Sequence, residues 1–145
     1  MPGRDASSSG PLSPDEYVEE ANAICKASQA EADQIDTPSL ADPVAVEQAI
    51  DEGVAIQRRA LADLRDLEPP QRDVPGIENW LELTADAVDQ MELIGEGVAN
   101  GDREAIAIAI EEGGALVSDA EEFAAAYGLT ECSTVDPDEA DQPAP

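Results

Sequence analysis

Cys25 and Cys132 are the only thiols in the chain, and they stand near the two ends of its patterned region. A lone pair placed this way can close a disulfide that ties the end of a fold to its beginning. The other reading is two unrelated buried thiols in a cytosolic protein. Histidine is absent, so Ser/His and Cys/His nucleophilic arrangements are impossible. Carboxylates are abundant, and the adjacent pairs Glu19-Glu20, Glu111-Glu112 and Glu121-Glu122 could in principle supply an acid and a base. Adjacent residues on a helix, however, point about 100° apart and do not converge. These pairs read as solvated acidic faces, and no catalytic residue is expected.

Metal and cofactor chemistry fare no better. A di-iron bundle needs Glu-x-x-His pairs, which this chain cannot make. Structural zinc needs more ligands than two thiols. The stretch Asp136-Pro137-Asp138-Glu139-Ala140-Asp141 has oxygen donors but lacks the glycine and distal glutamate of a calcium loop. No Gly-rich loop follows a strand, so nucleotide binding has no support. The expectation is no metal and no cofactor. Trp80, the only indole, could stack on a ligand, but its register with Ile77, Thr84 and Val88 favours partly buried packing.

The elements that position these residues are helices. Ser13, Pro14 and Glu16 make an N-cap, a first helical position and a capping-box carboxylate. From there Tyr17, Ala21, Ile24, Cys25, Ser28, Ala32 and Ile35 recur at three- and four-residue spacings, which predicts an amphipathic helix to about Asp36. Asp42-Pro43 starts a second, with Val46, Ile50, Val54, Leu61, Leu64 and Leu67 in its stripe and Glu68-Pro69-Pro70 as its stop. Gln57 interrupts that stripe and Gly53 weakens its middle.

A third helix is predicted from near Gly76 to Asn100-Gly101, through Ile77, Trp80, Leu81, Thr84, Val88, Met91, Ile94 and Val98. Asp102 caps the fourth, whose stripe is Ile106, Ile110, Gly113, Val117, Ala120, Ala124 and Tyr127. The pair Gly113-Gly114 marks a kink or a close helix approach. Gly128 suits a left-handed end, with Leu129 supplying the apolar contact of a Schellman motif. No strand signal and no internal repeat is visible. The fold class is therefore all-α, a single up-down-up-down four-helix bundle over residues 13–132. Residues 1–12 and the acidic, Pro-rich residues 133–145 are expected to be disordered.

In that topology the end of the fourth helix lies beside the start of the first. Cys25 is about 16 Å up the first helix at ~1.5 Å per residue. The residues from Gly128 to Cys132 climb about 13 Å when extended. The bond is within reach, and it would close a loop of roughly 107 residues, worth about 4–5 kcal/mol in the chain-entropy account.

The phrases Tyr17-Val18-x-x-Ala21-Asn22-Ala23-Ile24-Cys25, Leu64-x-x-Leu67-x-Pro69-Pro70, Trp80-Leu81, Gly101-Asp102 and Ala126-Tyr127-Gly128-Leu129-x-x-Cys132 carry a resemblance. The chain resembles a group of small helical domains of exported proteins and lipoproteins of high-GC actinobacteria. The resemblance covers residues 14–132 and rests most on the AxAIC and YGLxxC phrases. It implies an extracytoplasmic helical domain with the two cysteines bonded, usually tethered behind a signal or lipobox, and it brings no biochemical activity with it. This sequence shows neither a signal nor an N-terminal lipobox cysteine. The single Lys26 against six arginines fits a high-GC coding bias and equally a salt-adapted surface.

Acids outnumber bases 34 to 7, for a net charge of −27. Such a surface repels nucleic-acid phosphates and anionic lipid heads, so direct binding to either is disfavoured. No stretch approaches the roughly 20 apolar residues of a membrane span. Segments 13–36, 42–68, 71–101 and 102–129 each carry seven acids, and the second also has Arg58, Arg59 and Arg65. Acid spread this evenly reads as solvation. With 3 % aromatics, the core falls to Ala, Val, Ile and Leu.

The functional expectation is a monomeric, non-enzymatic extracytoplasmic module, structural or binding, for an unknown protein or cationic partner. The location presumes an export signal outside this sequence; otherwise the chain is cytoplasmic. The rival is an acidic decoy, a nucleic-acid mimic that occupies a basic DNA-binding protein. A carboxylate-only enzyme is a distant third.

Overall fold

A computed structural model describes residues 10–132. Those residues form four α-helices and no strand: α1 (Pro14–Ala32), α2 (Pro43–Arg65), α3 (Val74–Asn100) and α4 (Arg103–Tyr127). Two 3-10 turns accompany them, Gln71–Asp73 before α3 and Thr130–Cys132 after α4. Residues 1–9 and 133–145, most of the two terminal segments and all of the Asp136–Asp141 stretch, lie outside the described residues.

The helix starts follow local chemistry. Ser13 Oγ accepts from the Glu16 N–H at 3.2 Å, and Glu16 Oε1 accepts from the Ser13 N–H at 2.9 Å, a complete capping box. Asp42 and Asp102 cap α2 and α4 by accepting from the N–H groups of Ala45 and Ala105. α3 begins at Val74, two residues before the predicted start, because Pro75 suits a first-turn position and the Gln71–Asp73 turn leads into it.

Two ends fall earlier than the apolar stripes suggest. α1 stops at Ala32 although Ile35 continues its register, and the chain goes on in single turns, Gln34 N–H to Glu31 O and Ile35 N–H to Ala32 O. Glu31, Asp33 and Asp36 crowd this end and no base stands in the last turn. Carboxylates there oppose the negative pole of the helix dipole. α2 stops at Arg65, three residues before Glu68, and the chain goes on in a single turn, with Leu67 N–H on Leu64 O at 3.2 Å, before Pro69 and Pro70 bar any return to the helix.

The end of α4 holds the prediction in detail. Gly128 adopts φ +100°, and Leu129 N–H reaches back to Ala124 O at 2.7 Å while its side chain is fully buried. α4 runs unbroken through Gly113-Gly114. Gly113 marks a close approach, since a Cβ there would lie 3.2 Å from Gln90 Cβ.

Successive helices pack: α1 on α2, α2 on α3, α3 on α4. The main core joins Tyr17, Ala21 and Cys25 of α1 to Val54, Leu61 and Leu64 of α2, Ile77, Trp80 and Val88 of α3, and Ala120 and Ala124 of α4. Leu12, counted above with the N-terminal segment, is buried here too, and its N–H bonds Glu68 O at 2.9 Å. All four aromatic rings of the chain form one run. Trp80 stacks on Phe123 at 6.1 Å, Phe123 on Tyr127 at 5.5 Å, and Tyr127 meets the edge of Tyr17 at 6.2 Å.

α1 and α4 make little close backbone approach; the Thr130–Cys132 turn packs against both. This leaves the N-terminal half of α4 with α3 as its main neighbour. Ile110 and Val117, expected in the buried stripe, are accordingly 57 % and 40 % exposed. Periodicity placed them on the inward face, but the covered part of α4 runs through Ala109, Gly113 and Ala120, which leaves Ile110 and Val117 only partly covered.

Candidate functional site

Cys25 lies on the buried stripe of α1, one helical turn past Ala21 and one before Ser28. It is bonded to Cys132, with an S–S distance of 2.06 Å and Cα atoms 5.0 Å apart. Polar side chains of α1 grip the same turn. Asn22 Nδ2 donates to Gly128 O at 3.2 Å, Asn22 Oδ1 accepts from the Glu131 N–H at 3.0 Å, and Gln29 Nε2 donates to Glu131 O. Asn22 therefore satisfies one carbonyl and one amide that the chain reversal leaves without helical partners. The sequence contains Asn22 beside the stripe, but nothing in its spacing signals this double contact.

Beside the disulfide lies a cleft of about 270 Å³. All four helices and the C-terminal turn line it. Cys25, Ser28 and Gln29 come from α1, Gln57 from α2, and Trp80, Thr84, Ala87, Val88 and Met91 from α3. α4 adds Val117, Ala120 and Glu121, and the turn adds Glu131 and Cys132. The walls are largely hydrocarbon, indole and sulfur. Ser28 and Thr84 spend their hydroxyls on Cys25 O and Trp80 O at 2.9 Å, so both present little free polarity. Gln57, the residue that broke the α2 stripe, lies here and offers an amide donor and acceptor. The cleft therefore has the makeup of a small-ligand site, apolar walls with a few placed polar groups.

A second hollow, of about 300 Å³, is bordered by Tyr17, Leu64, Leu67 and Ile77 with Arg65, Glu78 and Glu82. It draws on fewer elements and has mixed charge. Tyr17 is fully buried and its hydroxyl has no hydrogen-bond partner among the described residues. Burial pushes its pKa up to about 12. Tyr127 is raised too, first by burial and then by the hydrogen bond its hydroxyl donates to Asp73 Oδ2 at 2.6 Å.

No family model, curated protein or solved structure matches the chain. The chemistry of the cleft is therefore read from its own residues. Among the described residues no group of three or more Cys, Asp or Glu side chains is placed to hold a metal ion. No helix among them is long and apolar enough to cross a membrane. Of the residues singled out in sequence, the cleft brings together Cys25, Cys132, Gln57, Trp80, Met91 and Glu121; it also recruits Gln29 and Glu131. Glu19, Glu20, Glu111, Glu112 and Glu122 do not line it. Trp80 is 2 % exposed, packed on Phe123 with part of its surface forming the cleft wall.

Proposed function

We propose that this chain is a monomeric, non-enzymatic, extracytoplasmic binding module whose cleft beside the disulfide receives the apolar part of a ligand. Its architecture is an up-down-up-down bundle. The contacts favour that order: Gly76 lies against Phe123, Gly113 against Gln90 and Gly97 against Ile106, so numbers rise along α3 as they fall along α4. Gly53 with Met91 and Gly95 with Ile50 repeat the pattern for α2 and α3.

The observation that carries the binding role is the cleft, where four helices and the clamped turn converge without filling the space between them. A bundle serving only as a spacer gains nothing from an opening in its core, because unfilled apolar volume costs stability. The disulfide supports the extracytoplasmic location, since such bonds persist in oxidising compartments. The net charge of −27 favours the monomer through mutual repulsion.

The test is a fragment screen of the oxidised protein read by methyl NMR. Shifts confined to Met91, Val88 and Val117 support the binding role. An absence of hits, or shifts scattered over the acidic surface, contradicts it. Salt-sensitive capture of DNA-binding proteins in a pull-down would instead favour the acidic decoy.

A further inference from the structure

We infer that the guest of this cleft is an uncharged, ring-sized body bearing a primary carboxamide or a ring lactam, read by Gln57. The inference rests on the binding role proposed above and adds the ligand's chemical class. Size comes from the volume. A dry apolar cavity of ~150 Å³ takes a benzene, so about 270 Å³ accommodates a body of one to two fused rings. Surface chemistry comes from Trp80, Met91 and the disulfide, an indole and three polarizable sulfurs that suit an aromatic guest.

Polarity comes from what the cleft leaves uncommitted. Ser28 and Thr84 have given their hydroxyl protons to Cys25 O and Trp80 O, and Gln29 Nε2 donates to Glu131 O. The half-buried Gln57 is different. Its amide has no partner among the described residues, so its N–H donors and its carbonyl remain available to a guest. A primary carboxamide is matched by a second amide, whose carbonyl accepts from Gln57 Nε2 while its N–H donates to Gln57 Oε1. Two such bonds orient a planar guest, and a guest that leaves one unmade loses affinity.

Charge is selected against in both signs. An anion would meet the half-buried Glu131 with no Lys or Arg among the lining residues. A cation finds little in exchange. Glu121 is already engaged by another group, and Glu131 alone adds at most about fivefold as one partly exposed pair. Against that gain stands the lost hydration of a charge set beside hydrocarbon and sulfur.

The test uses four probes of one shape: 2-naphthamide, 2-acetylnaphthalene, 2-naphthoate and 2-naphthamidinium. They place a carboxamide, a methyl ketone, a carboxylate and an amidinium on the same ring. Affinities are measured by methyl NMR titration of the oxidised full chain at physiological ionic strength. There a Debye length of about 8 Å damps the general pull of the −27 net charge on cations. The carboxamide should bind about three- to tenfold tighter than the ketone, which lacks the donor. It should bind at least as tightly as the amidinium, and the carboxylate should be weakest. Gln57→Leu, which continues the apolar stripe of α2, should abolish the carboxamide's advantage over the ketone. Gln57→Glu, an acceptor only, should hand the preference to the amidinium.

Val117→Phe, at a 40 % exposed position on the cleft wall, should weaken all four probes about tenfold or more. Equal binding of carboxamide and ketone, or an advantage that survives Gln57→Leu, overturns the carboxamide class; if Val117→Phe still weakens both, the binding role stands. An amidinium that binds tightest to the unaltered protein overturns the uncharged class. Binding that ignores Val117→Phe lies outside the cleft and overturns the inference. No binding by any probe removes the inference and the binding role together.

Discussion

Breaking the Cys25–Cys132 bond should cost this fold most of its margin. The bond closes a 107-residue loop, and the chain-entropy relation assigns such a loop about 4.8 kcal/mol at 25 °C. Domains of this size are stable by only about 5–15 kcal/mol. Here the side with less reserve is favoured, since the core has four aromatic rings and the chain carries a net charge of −27. An entropy of unfolding of ~2.1 cal/mol/K per residue over the described chain makes 1 kcal/mol about 4 °C. Reduction should therefore lower the Tm by about 15–20 °C. The assay compares oxidised protein, the reduced and alkylated form, and Cys25→Ser/Cys132→Ser in urea by far-UV circular dichroism. The midpoint should fall, with a slightly steeper slope because the unlinked unfolded chain is more expanded. The native oxidised form should offer no alkylatable thiol. A loss below about 1 kcal/mol would refute the reasoning, because the bonds of Asn22 and Gln29 would then hold the turn unaided.

Four further outcomes are expected. Tyr17→Phe should be neutral or stabilising by up to about 1 kcal/mol, because it removes a buried hydroxyl without a partner; Tyr127→Phe should cost about 1–2 kcal/mol by breaking the bond to Asp73. Chemical denaturation separates the two, and equal losses would contradict the assignment. Stability should be full below pH 10 and fall between about pH 10 and 12, because the unfolded chain ionises Tyr17 first while the fold holds it protonated to about 12. Tyr17 and Tyr127 are both raised and each contributes up to ~1.4 kcal/mol per pH unit, so the slope should shrink by about half in Tyr17→Phe. Gly97→Ala should destabilise by about 1–3 kcal/mol despite alanine's better helix propensity, since its Cβ would fall 2.6 Å from Ile106 Cγ1; unchanged urea midpoints would show that Ile106 moves aside freely. Finally, Tm should rise with salt as like charges are screened, even though the Arg58 pairs with Asp89 and Glu92 and the Arg59 pair with Glu31 weaken; a flat response up to 1 M would argue against charge strain.

What was legible in the sequence was local. The Ser13 capping box, the Asp42 and Asp102 caps, and the Gly128-Leu129 reversal each depend on a few adjacent residues, so their signals survive without knowledge of the fold. The ends of α1 and α2 depend on end charges and prolines that compete with a continuing apolar stripe, and the stripe misled. Ile110 and Val117 show a deeper gap. Periodicity reports which face of a helix is apolar, but not whether another element arrives to cover it. The cleft was legible only in fragments. Gln57 stood out as a polar break and Trp80 as a lone indole, but their shared location required the packing of all four helices. Gln29 and Asn22 gave no signal, because their partners are backbone groups more than a hundred residues away.

The central claim is that the cleft bounded by the disulfide is where this protein binds. Nuclear Overhauser contacts from the ring protons of 2-naphthamide to the oxidised protein test it most directly. Contacts to the Met91 and Val117 methyls and the Trp80 indole are predicted, with none to the exposed Ile108 side chain outside the cleft. Contacts to Ile108 without any to Met91, or none at saturating probe, would contradict the claim.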